Sequence, residues 1–313
     1  MLPSGSFLLY VFDRAFQICF EVIMIIMRRQ NVMYQPKERI VVVLLSNFKS
    51  CNSLIFVMIL CLVALIVQFI DVIGFVSICL FSIISYIYFN VKFEQSGYNY
   101  IVTLIFVAIV WLFITHNVKG FSNPIIFDRV QVSLTSTHYS MRINLDKAIT
   151  ALIIFLMHRN NNSTINLSRD QLIKTMRISS ICIATIMFPA LFVGYVRFDP
   201  KIPDIAVIWM LNNLLCVCFS EEVVFRLYLQ QRLNSLIENS IVSIMIASAM
   251  FGFYHYYMID SVVLAVLSSI CGVFYGIVFS KTNNNVACSI ITHFLLNLIH
   301  LLFFSYPCSV KIC

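Results

Sequence analysis

The chain has 313 residues, 60% of them hydrophobic and only 11% charged. A soluble domain carries roughly a quarter charged residues, so the composition excludes a globular enzyme with a water-facing surface and points to an integral membrane protein. The formal charge is +7, but the basic residues are scattered and form no stripe interleaved with stacking aromatics. Nucleic acid is therefore not an expected partner; the lipid bilayer is, with basic residues in loops beside it.

The first segment, SFLLYVFDRAFQICFEVIMIIMRR, is apolar but holds Asp13, Arg14 and Glu21. It lacks a small-residue cleavage site and reads as an interfacial helix or an imperfect span. Leu54–Ile70, Val72–Phe89 and the shorter Ile101–Thr115 follow as candidate spans. Residues 1–115 thus read as N-terminal membrane helices without an assigned role.

From His116 to Arg177 the chain turns polar, with eight basic and three acidic residues. Within this connecting region, INLDKAITALIIFLM is apolar for only about ten residues, too short to span, and suits a short amphipathic or re-entrant helix. Residues 178–313 then hold Ile178–Val196, Ile205–Phe219, Ile241–Tyr257, Val262–Ser280 and Val286–Phe304. The expected fold is all-α, a polytopic transmembrane helical bundle of about 7–8 spanning helices. Strands are not expected, because the apolar runs are long and do not alternate and because an open sheet cannot satisfy its backbone in lipid. In the C-terminal half, the side with Arg232 and Lys281 is slightly more basic than the side with Asp199, Asp204 and Asp260, which makes it the cytoplasmic side.

Of the 11 cysteines, Cys61, Cys79, Cys182, Cys216, Cys218, Cys271 and Cys288 lie in apolar runs, where cysteine packs as a small hydrophobe. No C-x-x-C or disulfide framework is present.

Charged groups at membrane depth are costly and face the bundle interior. Three sets stand out: Glu221, Glu222 and Arg226 in SEEVVFRLYL; His255 in MFGFYHYY; His293 and Asn297 in ITHFLLNLIH. Glu222 and Arg226 are four apart and share a helix face, where they can pair. Glu221 points about 100° away and has no evident local partner. Phe251, four before His255, can buttress its ring. Each set alone could simply hold helices together. With the last four helices alternating in direction, however, Glu221, His255 and His293 come to similar depth. Ser268, Gly272, Gly276 and Ser280 recur every four residues between them, a face for close helix packing.

In order, EEVVFR, FGFYH and HFLLN resemble the three motifs of the CPBP family of intramembrane proteases (CAAX protease and bacteriocin-processing, or Abi), E-E-x-x-x-R, F-x-x-x-H and H-x-x-x-N. The resemblance covers roughly Ile205 to Phe304, and NLDKAITAL is similar to a segment that precedes the core in bacterial members. Leu227 departs from it, standing where many members have glycine. The resemblance implies an intramembrane endopeptidase of the CAAX prenyl protease type, acting on a protein or peptide at the membrane. It carries the catalytic glutamate to Glu221 and its neighbour to Glu222, the first-motif arginine to Arg226, and the remaining motif positions to His255, His293 and Asn297. The expected location is a bacterial cytoplasmic membrane.

No serine or cysteine stands in a recognisable triad, so an activated water is expected as nucleophile. Glu221 is the expected general base, His255 positions the water, and His293 and Asn297 donate to the oxyanion. A divalent metal such as zinc, held by Glu221, His255 and His293, is an alternative account, although H-E-x-x-H is absent. The competing class is a non-enzymatic membrane protein, a transporter or a protective scaffold of immunity type, using the same buried groups.

Overall fold

The computed structural model describes residues 55–90, 96–159 and 167–310; the N-terminal segment discussed above lies outside them. The order is α1 (Ile55–Ile66), α2 (Val72–Asn90), α3 (Ser96–Ile114), β1 (Ile125–Gln131), β2 (His138–Arg142), α4 (Leu145–Arg159) and α5 (Arg169–Phe192). Then come α6 (Ala206–Ile237), α7 (Ser240–Ile259), α8 (Val262–Lys281) and α9 (Val286–Phe303). Among the described residues, six helices are long and apolar enough to cross a membrane: α2 and α5 to α9. The protein is an integral, multi-pass helical bundle.

Local chemistry sets the turns that alternate the last helices. Glu238 ends α6 in the left-handed region (φ 56°), and the Asn239 side chain then caps α7 through the N–H groups of Ile241 and Val242. Asp260 (φ 53°) ends α7, and the Ser261 hydroxyl caps α8. Asn283 and Asn284, both at φ 58°, reverse the chain before the Asn285 cap of α9. Asparagine and aspartate tolerate that backbone region better than most residues, and each cap satisfies N–H groups that a helix start leaves open.

The small-residue face of α8 does pack closely. A Cβ on Gly272 would lie 3.0 Å from Ser248 Cα of α7 and 3.3 Å from the Arg226 guanidinium of α6. A Cβ on Gly276 would lie 2.7 Å from Gln230 Oε1. Gly272 therefore makes room for a buried arginine as well as for a helix.

Two features differ from the sequence reading, and two extend it. The polar region holds an antiparallel hairpin, with Ile125 paired to Arg142 and Gln131 to His138. The argument against strands applies in lipid, and this hairpin lies outside the spanning helices, tied down by Ser133 and Thr135 to Asp199 and by Thr137 N–H to the Cys308 carbonyl. Helix α4, too short to span, is drawn into the bundle: Ile153 and Ile154 are fully buried, and it packs on α2, α3 and α6. The helix that leads from Ile205–Phe219 into SEEVVFRLYL runs on to Ile237, about 48 Å at 1.5 Å per residue. Finally, the seven cysteines in apolar runs are free thiols, but Cys308 is disulfide-bonded.

A buried carboxylate–imidazole site

Helix α6 carries both glutamates on a single α-helical turn, Phe219–Glu222, between two π-helical stretches, Asn213–Cys218 and Val223–Gln230. Such stretches are rare, and they occur frequently at functional sites. Adjacent on the helix, Glu221 and Glu222 diverge to different partners.

Glu222 is fully buried and bridges two cations or potential cations. Its Oε2 lies 3.2 Å from Arg226 Nε, and its Oε1 accepts from His293 Nδ1 at 2.9 Å. The Arg226 contact is an ion pair without hydrogen-bond alignment. The guanidinium also lies over the rings of Phe251 (5.1 Å) and Tyr275 (5.7 Å), a cation–π setting.

Glu221 turns the other way. Its Oε2 has no protein hydrogen-bond partner and faces Nε2 of His255 at 4.0 Å and Nε2 of His293 at 3.9 Å. The structure thus brings together three groups from α6, α7 and α9. The Phe251 carbonyl accepts from His255 Nδ1 at 2.9 Å, and the Phe251 ring meets the imidazole edge-on at 4.5 Å. The His293 ring stacks on Tyr275, with centroids 4.7 Å apart and planes at 18°. A carbonyl and a carboxylate can only accept. Both histidines therefore carry a proton on Nδ1, and in their neutral forms both turn an unprotonated Nε2 toward Glu221. The His255 side chain is 18% exposed, against 5% for Glu221 and 6% for His293, so the site opens on the His255 side.

Asn297 lies one turn beyond His293. Its amide donates to Asn213 Oδ1 at 3.3 Å and approaches Cys218 Sγ at 3.7 Å, on the first π-helical stretch. No contact ties it directly to Glu221 or His255.

One residue of the site escaped the sequence reading. Lys147, in the first turn of α4 and 3% exposed, donates to Glu221 Oε1 at 2.9 Å and to the Tyr254 hydroxyl at 3.4 Å. Glu221 therefore does have a partner, contributed by the polar connecting region. Burial opposes the charge on Lys147, but the Glu221 carboxylate and the Tyr254 hydroxyl outweigh it and hold the ammonium above its ordinary range.

Two imidazole nitrogens and a carboxylate are the right donors for zinc. The spacing is not right. Two ligands on one tetrahedral zinc, each at about 2.0–2.1 Å, stand about 3.3 Å apart, whereas Glu221 Oε2 is 3.9–4.0 Å from both nitrogens. The other carboxylate oxygen is held by an ammonium. No group of three His, Cys, Asp or Glu among the described residues has metal-holding geometry.

Fold and site together define a polytopic helical membrane protein whose last helices close around a buried carboxylate–imidazole cluster. Residues 203–299, which hold all three motifs, match the family described as Rce1-like, Type II CAAX prenyl endopeptidase Rce1-like. Over this segment the chain is similar to CAAX-type intramembrane proteases, in line with the motifs. No curated protein and no solved structure matches the chain at a significant level.

Proposed function

We propose that the protein is an intramembrane endopeptidase of the CAAX prenyl protease type that hydrolyses a peptide bond with a water activated by Glu221. The observation that carries this reading is the triangle of Glu221 Oε2, His255 Nε2 and His293 Nε2, with its 3.9–4.0 Å edges at Oε2. One water about 2.8 Å from each atom fits such edges. Glu221 takes a proton from that water as its oxygen attacks the scissile carbonyl carbon, and later passes the proton to the leaving amine nitrogen. His255 holds the water at the open side of the site. His293, when it carries protons on both nitrogens, offers its Nε2–H to the developing oxyanion, and Glu222 at its Nδ1 balances the charge. Asn297 joins as a second donor by exchanging its Asn213 partner for the oxyanion. No step is routed through a metal.

In this reading the catalytic part is 178–313, and the region 116–177 supplies Lys147 to it. The substrate is a protein or peptide presented at the membrane, prenylated as the family description suggests, and the setting is a bacterial cytoplasmic membrane. The test is cleavage of a quenched fluorescent farnesylated CAAX peptide by the purified full chain in proteoliposomes. Glu221→Gln keeps shape and hydrogen bonding but cannot accept the proton. It is expected to accumulate and melt like the wild type and to show no turnover; an active Glu221→Gln protein overturns the proposal.

A further inference from the structure

Lys147 stands outside the three motifs and 74 residues from its partner, yet it is the described residue that hydrogen-bonds a Glu221 side-chain oxygen. Its location is hard to explain by stability alone. A cation in the first turn of a helix sits at the wrong end of the helix dipole, and Lys147 is almost fully buried there. The start of α4 is nonetheless pinned firmly. The Lys147 backbone N–H donates to Asp146 Oδ1 at 2.8 Å, and Asp146 Oδ2 accepts from His116 Nδ1 (2.7 Å) and Asn123 Nδ2 (3.1 Å). The Leu145 N–H donates to Asn123 Oδ1 at 2.8 Å. The result is an ammonium held in one place against Glu221.

We propose, resting on the reading of Glu221 above, that Lys147 is a positioning residue of this site: by holding Oε1 it keeps Oε2 turned to His255 and His293. A glutamate's terminal torsion is soft, so a free carboxylate would swing between its neighbours. Among the described residues around Glu221, Lys147 is the one positive charge in hydrogen-bond contact with its carboxylate. From α7 come Tyr254 and His255, from α9 His293, from α4 Lys147 with Asp146 behind it, and from α6 itself Cys218, Glu222 and the Glu222-paired Arg226. An opposite charge within about 4–6 Å displaces a carboxyl titration by about 1–3 pH units.

The experiment reads Glu221 directly, without a substrate. Infrared difference spectra of the full chain in proteoliposomes, with Glu221→Gln as the subtraction reference, follow the protonated-carboxyl band of Glu221 against pH. In Lys147→Met the band is expected to persist to a pH about 1–3 units higher than in the wild type; in Lys147→Arg, which retains the charge, it stays within half a unit of wild type. With the farnesylated peptide, the acid limb of kcat/KM in Lys147→Met moves in the same direction, and kcat falls while KM holds. A Lys147→Met band that titrates with the wild type overturns the proposal, even where the peptide is cleaved. Should Lys147→Met fail to accumulate, Lys147→Arg decides alone: a band displaced by a full unit or more shows that charge at this position does not set the titration. An unchanged infrared result for Lys147→Arg and a displaced one for Lys147→Met, with no cleavage by any variant, removes the peptidase reading and leaves the positioning role standing.

Discussion

His293 is held by Glu222: its Nδ1 donates to Glu222 Oε1 at 2.9 Å, while its Nε2 faces Glu221 Oε2 at 3.9 Å. Two neighbouring glutamates on one helix turn thus grip one imidazole from opposite sides. Glu222 does more than neutralise Arg226, the role its spacing suggests. It also sets which nitrogen of His293 carries the proton and where the ring points, as outer-shell carboxylates do for histidines in other sites.

The consequence separates two variants that the ion pair alone would make equivalent. Breaking a buried pair by removing one partner costs about 3–5 kcal/mol, so Arg226→Ala and Glu222→Ala are both expected to accumulate poorly and melt lower. Only Glu222→Ala also releases His293. At equal amounts of folded protein, Arg226→Ala is expected to turn over within a few-fold of wild type, and Glu222→Ala about 10²-fold slower, the scale of loss when a catalytic group shifts by about 1 Å. Membrane abundance, thermal melting in detergent and specific activity distinguish them. Equal specific activities would restrict Glu222 to the ion pair.

Metal removal is the second test. The 3.9–4.0 Å edges of the Glu221–His255–His293 triangle suit a shared water and are too wide for a single zinc. Cleavage is therefore expected to survive dialysis against 1,10-phenanthroline, and the dialysed protein is expected to hold less than one zinc per chain by elemental analysis. Loss of activity restored by added zinc would mean that the three groups draw together around a metal.

The residues that meet at the site were legible where the chemistry is local or periodic. The four-residue spacing of Glu222 and Arg226, and the depth-matching of Glu221, His255 and His293 on alternating helices, follow from helix geometry alone. What could not be read depends on long-range or subtle backbone terms. Lys147 reaches Glu221 only because α4, too short to span, is drawn into the bundle; an apolar run of that length is equally compatible with a surface position. The π-helical stretches beside Phe219–Glu222 have no residue signature, since each differs from an α-helix by one residue of register. The hairpin was hidden because Ile125–Gln131 sits in a polar region where side-chain alternation is weak, with irregular register near Phe127.

Asn297 is the site residue whose contacts fit its expected role least directly. Its amide is bonded to Asn213 in the π-helical stretch at 3.3 Å, so it either donates to the transition state after leaving that partner or fastens α9 to α6. Under the first account, Asn297→Ala lowers kcat by about 10²–10³ with little change in KM, the usual loss for one oxyanion donor. Under the second, Asn213→Ala and Asn297→Ala lower the melting temperature alike, and neither alters kcat of the folded fraction. We expect the first pattern for Asn297→Ala and only the stability loss for Asn213→Ala.

The last prediction concerns the connection between α5 and α6, where it meets the hairpin. Asp199, in the connection between α5 and α6, accepts from the hydroxyls of Ser133 and Thr135 (the latter at 2.6 Å) and lies 3.4 Å from Lys201 Nζ. Partial burial raises its carboxyl, but the Ser133 and Thr135 hydroxyls and then the Lys201 charge outweigh this and hold it below the ordinary carboxylate value. Lys201 is pushed down in turn by its own burial, more than Asp199 pulls it back, so the gain at Asp199 comes foremost from the hydroxyls that anchor the hairpin. A carboxyl lower in the folded than in the unfolded state adds stability that is fully present above the unfolded value, about 3.9, and is lost as pH falls through the folded one. The wild type is therefore expected to melt above Asp199→Asn at neutral pH. The difference should hold down to about pH 4 and shrink below it as Asp199 itself takes up a proton. Ser133→Ala combined with Thr135→Val removes the hydroxyls, brings the folded value closer to the unfolded one and should make the part of the difference that is lost below pH 4 smaller. Melting curves in detergent from pH 7 to 3 check both points; a wild-type advantage that grows on acidification would reverse the sign of the argument and remove Asp199 as the anchor of the hairpin.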